Sequence, residues 1–199
     1  MFGIPRDEIK RKGFHLLSLI YIFGYWYLPK TTIIWGLAVT IAIVILCECL
    51  RVKIPKFNAF FKNNFKGFYR PEEAEKISGL LGTLSGALLT VLIFPDRYMV
   101  FASFLYFAFG DSAAALAGKA FGRHKTFAGK SLEGSLACFA ACFTTGLFIF
   151  NWQFALTGAV IAATVEAIPW KISDNFWMQI INAGILTLLS NITSATYIR

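Results

Sequence analysis

Seven apolar segments follow one another along this chain of 199 residues, and each is close to the length that a membrane-crossing helix needs. They cover about 14–28, 31–50, 77–95, 98–118, 132–150, 153–168 and 176–194. Roughly 20 helical residues span the apolar core of a bilayer, so the first and sixth segments are short. With 57% hydrophobic and 15% charged residues, the chain is too apolar for a soluble domain of this size. The sequence therefore predicts an all-α polytopic membrane protein with about seven transmembrane helices.

The basic residues are distributed unevenly among the connecting segments. If the N-terminus is cytoplasmic, all but three of the 19 lysines and arginines fall in cytoplasmic segments, the exceptions being Lys30, Arg97 and Arg199. Cytoplasmic loops of membrane proteins carry such an excess. The basic residues behind the net charge of +8 therefore set a cytoplasmic N-terminus and attract anionic lipid or phosphate. Nucleic acid is not expected as a partner.

The longest of the predicted cytoplasmic connections covers 51–76. Its phenylalanines and lysines recur at close to the spacing of one helical face, which predicts an amphipathic helix. Such a helix lies on the inner leaflet with its lysines toward anionic head groups. We expect this segment to be an interfacial loop that anchors the chain to lipid.

Ionisable groups within the apolar segments lie near one leaflet. They are Asp111, Glu48, Glu166 and His15. An intramembrane acid is by default a functional hypothesis, although pairing with Lys or Arg between helices explains the last three equally well. These groups predict a polar layer at the inner membrane boundary, whereas a transporter places its polar site near the midplane.

Glycines and basic side chains are mixed in the segment 118–134, between the fourth and fifth apolar segments. Glycine permits close backbone approach and the cations attract anions, a combination that suits a polyphosphate. Lys130, Ser131 and Glu133 open the fifth segment, where the N-terminus of a helix favours a bound anion. Position 124 is His124 rather than glycine, so this is not a Walker A loop, and a plain solvated loop remains the alternative.

The pattern as a whole resembles the CTP-dependent lipid kinases, which include the dolichol, phytol and yeast-type diacylglycerol kinases. The nucleotide-binding region of that family is matched by Asp111-Ser112-Ala113-Ala114, Gly118, Gly122, Lys125 and Lys130-Ser131-Leu132-Glu133-Gly134-Ser135. Its other motifs are matched by Glu8, Arg11, Lys12 and His15, by Arg70 and Glu73, and by Glu166, Asp174 and Asn175. The resemblance covers nearly the whole chain. It implies a CTP- and magnesium-dependent transfer of the γ-phosphate to a lipid alcohol, such as a polyprenol, a phytol-like alcohol or diacylglycerol.

Phosphoryl transfer calls for carboxylates that hold Mg²⁺ and for cations that hold phosphate oxygens. The catalytic candidates are Asp111, Lys130 and Glu133, and the metal candidates are Asp111, Glu133 and Asp174. The candidates for binding the nucleotide CTP are Gly118, Gly122, Lys125, Lys130, Ser131, Gly134, Arg11, Lys12, His15, Arg70 and Glu73. A structural hydrogen-bonding role for Asp111, and a purely topological role for Arg11 and Lys12, stay open.

Two other functions remain as alternatives. A CTP:phosphatidate cytidylyltransferase also uses CTP and Mg²⁺, but its family carries a Lys-Asp pair where this chain has Lys130-Ser131. A small non-enzymatic transporter predicts polar residues along a whole path, and the outer halves of these helices have almost none. We expect one transmembrane catalytic domain over 1–199, with 51–76 as the interfacial loop and 118–131 as the nucleotide-binding loop. We expect the protein to be integral to the membrane, and to the plasma membrane if the source is prokaryotic. The site is expected on the cytoplasmic side, and self-association into a homo-oligomer stays open.

Overall fold

A computed structural model describes residues 5–65, 78–126, 129–168, 170 and 173–193 of the protein. Within these ranges the chain forms helices and no named strand, so the all-α prediction is confirmed. The helices are α1 (Arg6–His15), α2 (Leu19–Tyr27), α3 (Lys30–Lys53), α4 (Pro55–Asn64), α5 (Gly79–Ile93), α6 (Arg97–Leu105), α7 (Asp111–Phe121), α8 (Leu132–Leu147), α9 (Trp152–Ala167) and α10 (Asp174–Thr193).

Each predicted apolar segment contains a helix. A 3₁₀ turn over Leu16–Ser18 joins α1 to α2, and a π-helical segment over Tyr106–Gly110 joins α6 to α7. Two helices of the described part are long and apolar enough to cross a membrane, namely α3 with 24 residues and the continuous helix Arg97–Phe121 with 25. The amphipathic helix expected within 51–76 is α4, while residues 66–76 lie outside the described residues.

The core forms around the continuous helix Arg97–Phe121. Met99 to Ala108 are all buried, and α2, α5, α8, α9 and α10 surround them. Tyr106 fits between two helices because Gly146 and Gly158 lack side chains: a Cβ on Gly158 would lie 2.8 Å from the Tyr106 hydroxyl oxygen. This central helix therefore holds Asp111, at the start of its C-terminal half, on a rigid packed frame.

The connections differ between the two ends of the helix bundle. Short turns join α2 to α3, α5 to α6 and α8 to α9, whereas longer segments join α4 to α5, α7 to α8 and α9 to α10. At the short-turn end, Arg97 donates to the backbone oxygen of Tyr25 at 3.1 Å and Lys30 to that of Phe94 at 3.3 Å. Lys30 and Arg97, two of the three basic residues predicted to lie outside the cytoplasmic segments, are thus together at the end opposite the long connections.

Helix α3 lies at the periphery. It packs against α4 and α5, but it meets α2 mainly near the turn between them, and only Ile33, Leu37 and Arg51 of α3 are buried. A groove therefore remains between α2 and α3, and the first half of α5 lines the same cavity.

Candidate active site

A cavity of about 2120 Å³ runs between α1, α2, α3, α5, α7, the segment that precedes α8 and the start of α10. At one end its lining is rich in charged side chains, among them Arg11, Lys12, Asp111 and Lys130. At the other end it follows the groove between α2 and α3, where the lining is mainly apolar. The cavity is amphipathic, with a charged end at the long connections and an apolar arm.

Asp111 is at the centre of the charged end. Its Oδ2 lies 2.5 Å from Lys12 Nζ and 3.5 Å from His15 Nε2. The imidazole of His15 packs against Phe107, with ring centroids 4.4 Å apart. Residues separated by about a hundred positions therefore converge because α1 packs beside α7.

Glu8 ties the N-terminal helix to α7. Its buried carboxylate accepts a hydrogen bond from Arg11 Nη2 at 2.6 Å and lies 2.9 Å from Lys119 Nζ. The pairing holds Lys12 and His15, which follow on the same helix, against Asp111. Through its ion pair with Lys119, Glu8 thus links the N-terminal motif to the segment that follows Asp111.

Lys130 forms the second cluster of the charged end. Its Nζ lies 2.9 Å from Glu166 Oε1 and 3.3 Å from Asp174 Oδ2, and it also donates to the backbone oxygen of Glu166. Burial lowers the pKa of Lys130, but the hydrogen bond and charge of Glu166 and the charge of Asp174 outweigh burial, so the pKa lies above its ordinary value. The amine therefore stays protonated at neutral pH.

The segment before α8 folds back on itself. The Thr126 amide donates to the Lys130 oxygen at 2.8 Å, the Leu132 amide donates to the His124 oxygen at 3.0 Å, and Lys125 and Ser131 form an isolated antiparallel bridge. Ser131 caps α8, its hydroxyl accepting from the Gly134 amide at 3.2 Å. The Leu132 and Gly134 amides at the start of α8 are therefore bonded within the protein, while Lys130, Ser131 and Gly134 line the charged end of the cavity.

Gly118, Gly122 and Gly134 bring α7 and α8 into close contact. A Cβ on Gly134 would lie 2.9 Å from the Ala114 backbone oxygen, and one on Gly118 would lie 3.0 Å from the Ser131 hydroxyl. A Cβ on Gly122 would overlap the Gly118 backbone oxygen. All three glycines line the cavity, so close helix packing and open space for a ligand both depend on them.

Glu133 does not line the cavity. Its Oε1 accepts from the backbone amides of Arg123 and His124 at 3.2 and 3.1 Å and lies 2.7 Å from His124 Nδ1. The carboxylate therefore organises the turn between α7 and α8. Its catalytic and metal-binding roles stay predictions.

The structure brings together most of the other predicted site residues. Those that line the cavity are Arg11, Lys12, His15, Asp111, Gly118, Gly122, Lys125, Lys130, Ser131, Gly134 and Asp174. Arg70 and Glu73 lie outside the described residues. Glu48 pairs at 2.6 Å with Arg51 of its own helix, and not with a basic residue of another helix, which was the alternative left open by the sequence.

The carboxylates at the charged end decide whether Mg²⁺ could bind there. No group of three or more His, Cys, Asp or Glu residues in the described ranges is arranged to hold a metal ion. Mg²⁺ usually takes only one or two protein carboxylates and completes its shell with substrate phosphates and water. Asp111 and Asp174, which line the same cavity, fit that pattern.

A polar network beneath the charged end was missed at the sequence level. Tyr21 donates to Gln179 Oε1 at 3.2 Å, Gln179 Nε2 donates to the Thr83 backbone oxygen at 3.0 Å, and Asn175 Nδ2 donates to the Thr83 hydroxyl at 3.1 Å. Gln179 is fully buried. The spacing of Asn175, Gln179 and Asn182 on one face of an apolar helix is the signal that could have indicated it.

Several known proteins are similar to the chain. CTP-dependent diacylglycerol kinase 1 of Saccharomyces cerevisiae is 26% identical over 212 residues, which cover 90% of this chain and 72% of the yeast protein. An uncharacterized protein of Methanocaldococcus jannaschii is 30% identical over 94% of this chain and 96% of its own length. An uncharacterized protein of Rickettsia prowazekii is 27% identical over 77% of this chain and 76% of its own length. No protein-family model and no solved structure matches the chain.

Fold, cavity and relatives together define a class: an all-helical, membrane-associated protein with a charged site that adjoins an apolar groove. More particularly, the 26% identity to a CTP-dependent diacylglycerol kinase over 90% of the chain points to the CTP-dependent lipid kinases.

Proposed function

We propose that the protein transfers the γ-phosphate of CTP to the hydroxyl of a membrane lipid alcohol at the cytoplasmic face. The observation that carries this proposal is the amphipathic cavity, in which two ion-paired clusters, Lys12–Asp111 and Lys130–Asp174, adjoin an apolar arm. A phosphate donor requires the first feature and a lipid acceptor requires the second. The yeast relative is by name a CTP-dependent diacylglycerol kinase, which supports CTP as the donor.

The ion pairs support a mechanism based on partner exchange. Lys12 is ion-paired with Asp111, and Lys130 is shared between Glu166 and Asp174. A triphosphate brings negative charge that competes with the carboxylates for both lysines. The lysines then hold phosphate oxygens while the acids become available, so nucleotide binding and activation of the acids are coupled.

Asp111 is the residue proposed to accept the proton of the acceptor hydroxyl or to hold the metal. Phosphoryl transfer depends mainly on positioning and on charge neutralisation around the transferring group. Mg²⁺, when bound, supplies neutralisation of phosphate charge, and Asp111 and Asp174 are the carboxylates that would hold it. Glu133 would act indirectly, by shaping the turn that carries Lys125.

The proposed topology has seven transmembrane helices and a cytoplasmic N-terminus, with residues 1–199 acting as one catalytic domain. It is supported by the excess of basic residues at the long connections and by Lys30 and Arg97 at the opposite end. The charged end of the cavity then lies at the inner membrane boundary, within reach of cytoplasmic CTP.

The direct test uses purified protein, labelled CTP, Mg²⁺ and a panel of lipid alcohols, with ATP as the matched donor control. We expect a labelled phospholipid in the organic phase and CDP in the aqueous phase. Pyrophosphate in place of CDP would indicate a cytidylyltransferase. If CTP is not consumed with any of the acceptors, the proposal is contradicted.

A further inference from the structure

The cavity-facing residues of α3 form one stripe along that helix. They are Thr32, Ile33, Gly36, Leu37, Thr40, Ile43, Val44, Cys47 and Glu48. Their spacing of three and four positions places them on a single face. The Thr40 hydroxyl donates to the Gly36 backbone oxygen at 2.7 Å, so its hydrogen-bonding capacity is used within α3. Except for Glu48 at its charged end and Thr32 at the opposite end, the stripe is an apolar wall.

Helix α2 and the turn before it provide the facing wall. Its cavity-lining residues include Leu17, Ile20, Tyr21, Gly24 and Leu28. Leu17 is 53% exposed and Ile20 is 75% exposed, although both are large and apolar. Two apolar walls thus face each other across open space.

The groove is a wedge. A Cβ on Gly24 would lie 3.2 Å from Ile33 Cδ1, so α2 and α3 touch near the turn that joins them. A Cβ on Gly36 would meet nothing within 4 Å, so the groove is open at that level. The wedge is continuous with the charged end, because Lys12, Asp111 and Gly36 line the same cavity.

The length of the groove follows from helix geometry. From Glu48 to Thr32 the rise along α3 is about 24 Å. One leaflet contributes roughly half of the ~30 Å apolar thickness of a bilayer, or about 15 Å. The groove is therefore longer than one leaflet is thick.

We propose that this groove holds the hydrocarbon chain of the acceptor lipid, with the hydroxyl at Asp111 and the chain directed toward the turn between α2 and α3. This inference rests on the proposed function and adds that the protein selects its acceptor lipid by the length of the hydrocarbon chain. Lipid tails are as apolar as the groove, so entering it from the bilayer gains little hydrophobic free energy. Chains are consequently distinguished by how well they fill the wedge and not by how apolar they are.

Gly36→Phe fills the wedge about three quarters of the way from its charged end to the turn between α2 and α3. Ala42→Phe is the matched control, because Ala42 lies on α3 outside the cavity lining. Activity is measured with two acceptor pairs, geraniol against geranylgeraniol and dioctanoylglycerol against dioleoylglycerol. We expect Gly36→Phe to lower kcat/KM for the longer acceptor about tenfold relative to the shorter one. Ala42→Phe should leave that ratio unchanged. If Gly36→Phe retains kinase activity and the ratio of kcat/KM between the longer and the shorter acceptor is unchanged, the groove does not hold the chain. The proposed function would still stand.

A binding experiment on the unaltered protein covers the case in which Gly36→Phe does not fold. Geranylgeraniol that carries a diazirine at the end of its chain is photolysed with the protein in liposomes, and the labelled peptides are mapped by mass spectrometry. Label within 28–33 supports the proposal, and label confined to the outer surface around Phe148 overturns it. If the groove is labelled but no alcohol accepts phosphate from CTP, the chain-binding site stands and the kinase function fails.

Discussion

The pair Lys12–Asp111 allows a structural role of Asp111 to be separated from a chemical one. Their side chains are 7% and 14% exposed, and their charged atoms lie 2.5 Å apart. Removing one partner of a buried ion pair costs about 3–5 kcal/mol, because the other charge remains buried without compensation. Both groups line a cavity that water can enter, so we expect the lower limit, about 3 kcal/mol, for Asp111→Asn.

A loss of that size is measurable by thermal unfolding in detergent. At about 2–4 °C per kcal/mol for a chain of this length, Asp111→Asn should lower Tm by about 6–12 °C. The double variant Lys12→Met/Asp111→Asn removes both charges and should recover most of that loss, because no uncompensated charge remains. Asp96→Asn is the matched control: Asp96 caps α6 at the far end of the bundle, and Asn caps a helix about as well.

Activity should follow a different pattern from stability. The double variant regains its Tm but should still transfer no phosphate, since the carboxylate that accepts the proton or holds the metal is missing. A stable double variant with activity within about tenfold of the unaltered protein would refute the chemical role of Asp111. An Asp111→Asn variant with an unchanged Tm would refute the reasoning about the buried pair.

Three further predictions concern other parts of the site. Lys130→Met should weaken CTP binding about tenfold or more, because a charge-assisted contact is lost; calorimetry measures this, and an unchanged affinity would remove Lys130 from the phosphate site. Gly134→Ala should destabilise the fold by about 1–3 kcal/mol, since its Cβ meets the fixed backbone of α7; Gly13→Ala, in open space, is the control, and equal Tm values would contradict the packing argument. In a cysteine-free background, a membrane-impermeant maleimide should label Arg123→Cys only from the cytoplasmic side and Lys30→Cys only from the other, and labelling of both from one side would exclude the topology.

Local features of the sequence were sufficient to locate the helices. Apolar stretches of near-span length marked every long helix, and the phenylalanines and lysines of 51–76 marked α4. Helix formation depends on hydrogen bonds between residues four positions apart, so a short window of sequence carries the information. The pairing of Glu48 with Arg51, three positions apart, could be predicted for the same reason.

The partners of the charged groups were decided by tertiary packing. Lys12 meets Asp111, and Lys130 meets Glu166 and Asp174, because α1, α7, α9 and α10 converge at one end of the bundle. The sequence placed Glu133 with the other acids, but the turn between α7 and α8 directs its carboxylate to the amides of Arg123 and His124. Such pairings depend on how helices distant in sequence cross and rotate against each other, which no local pattern contains. The sequence by itself determined where the helices run and which residues carry charge; only the packing of those helices decided which charges neutralise one another and left the groove between α2 and α3 open.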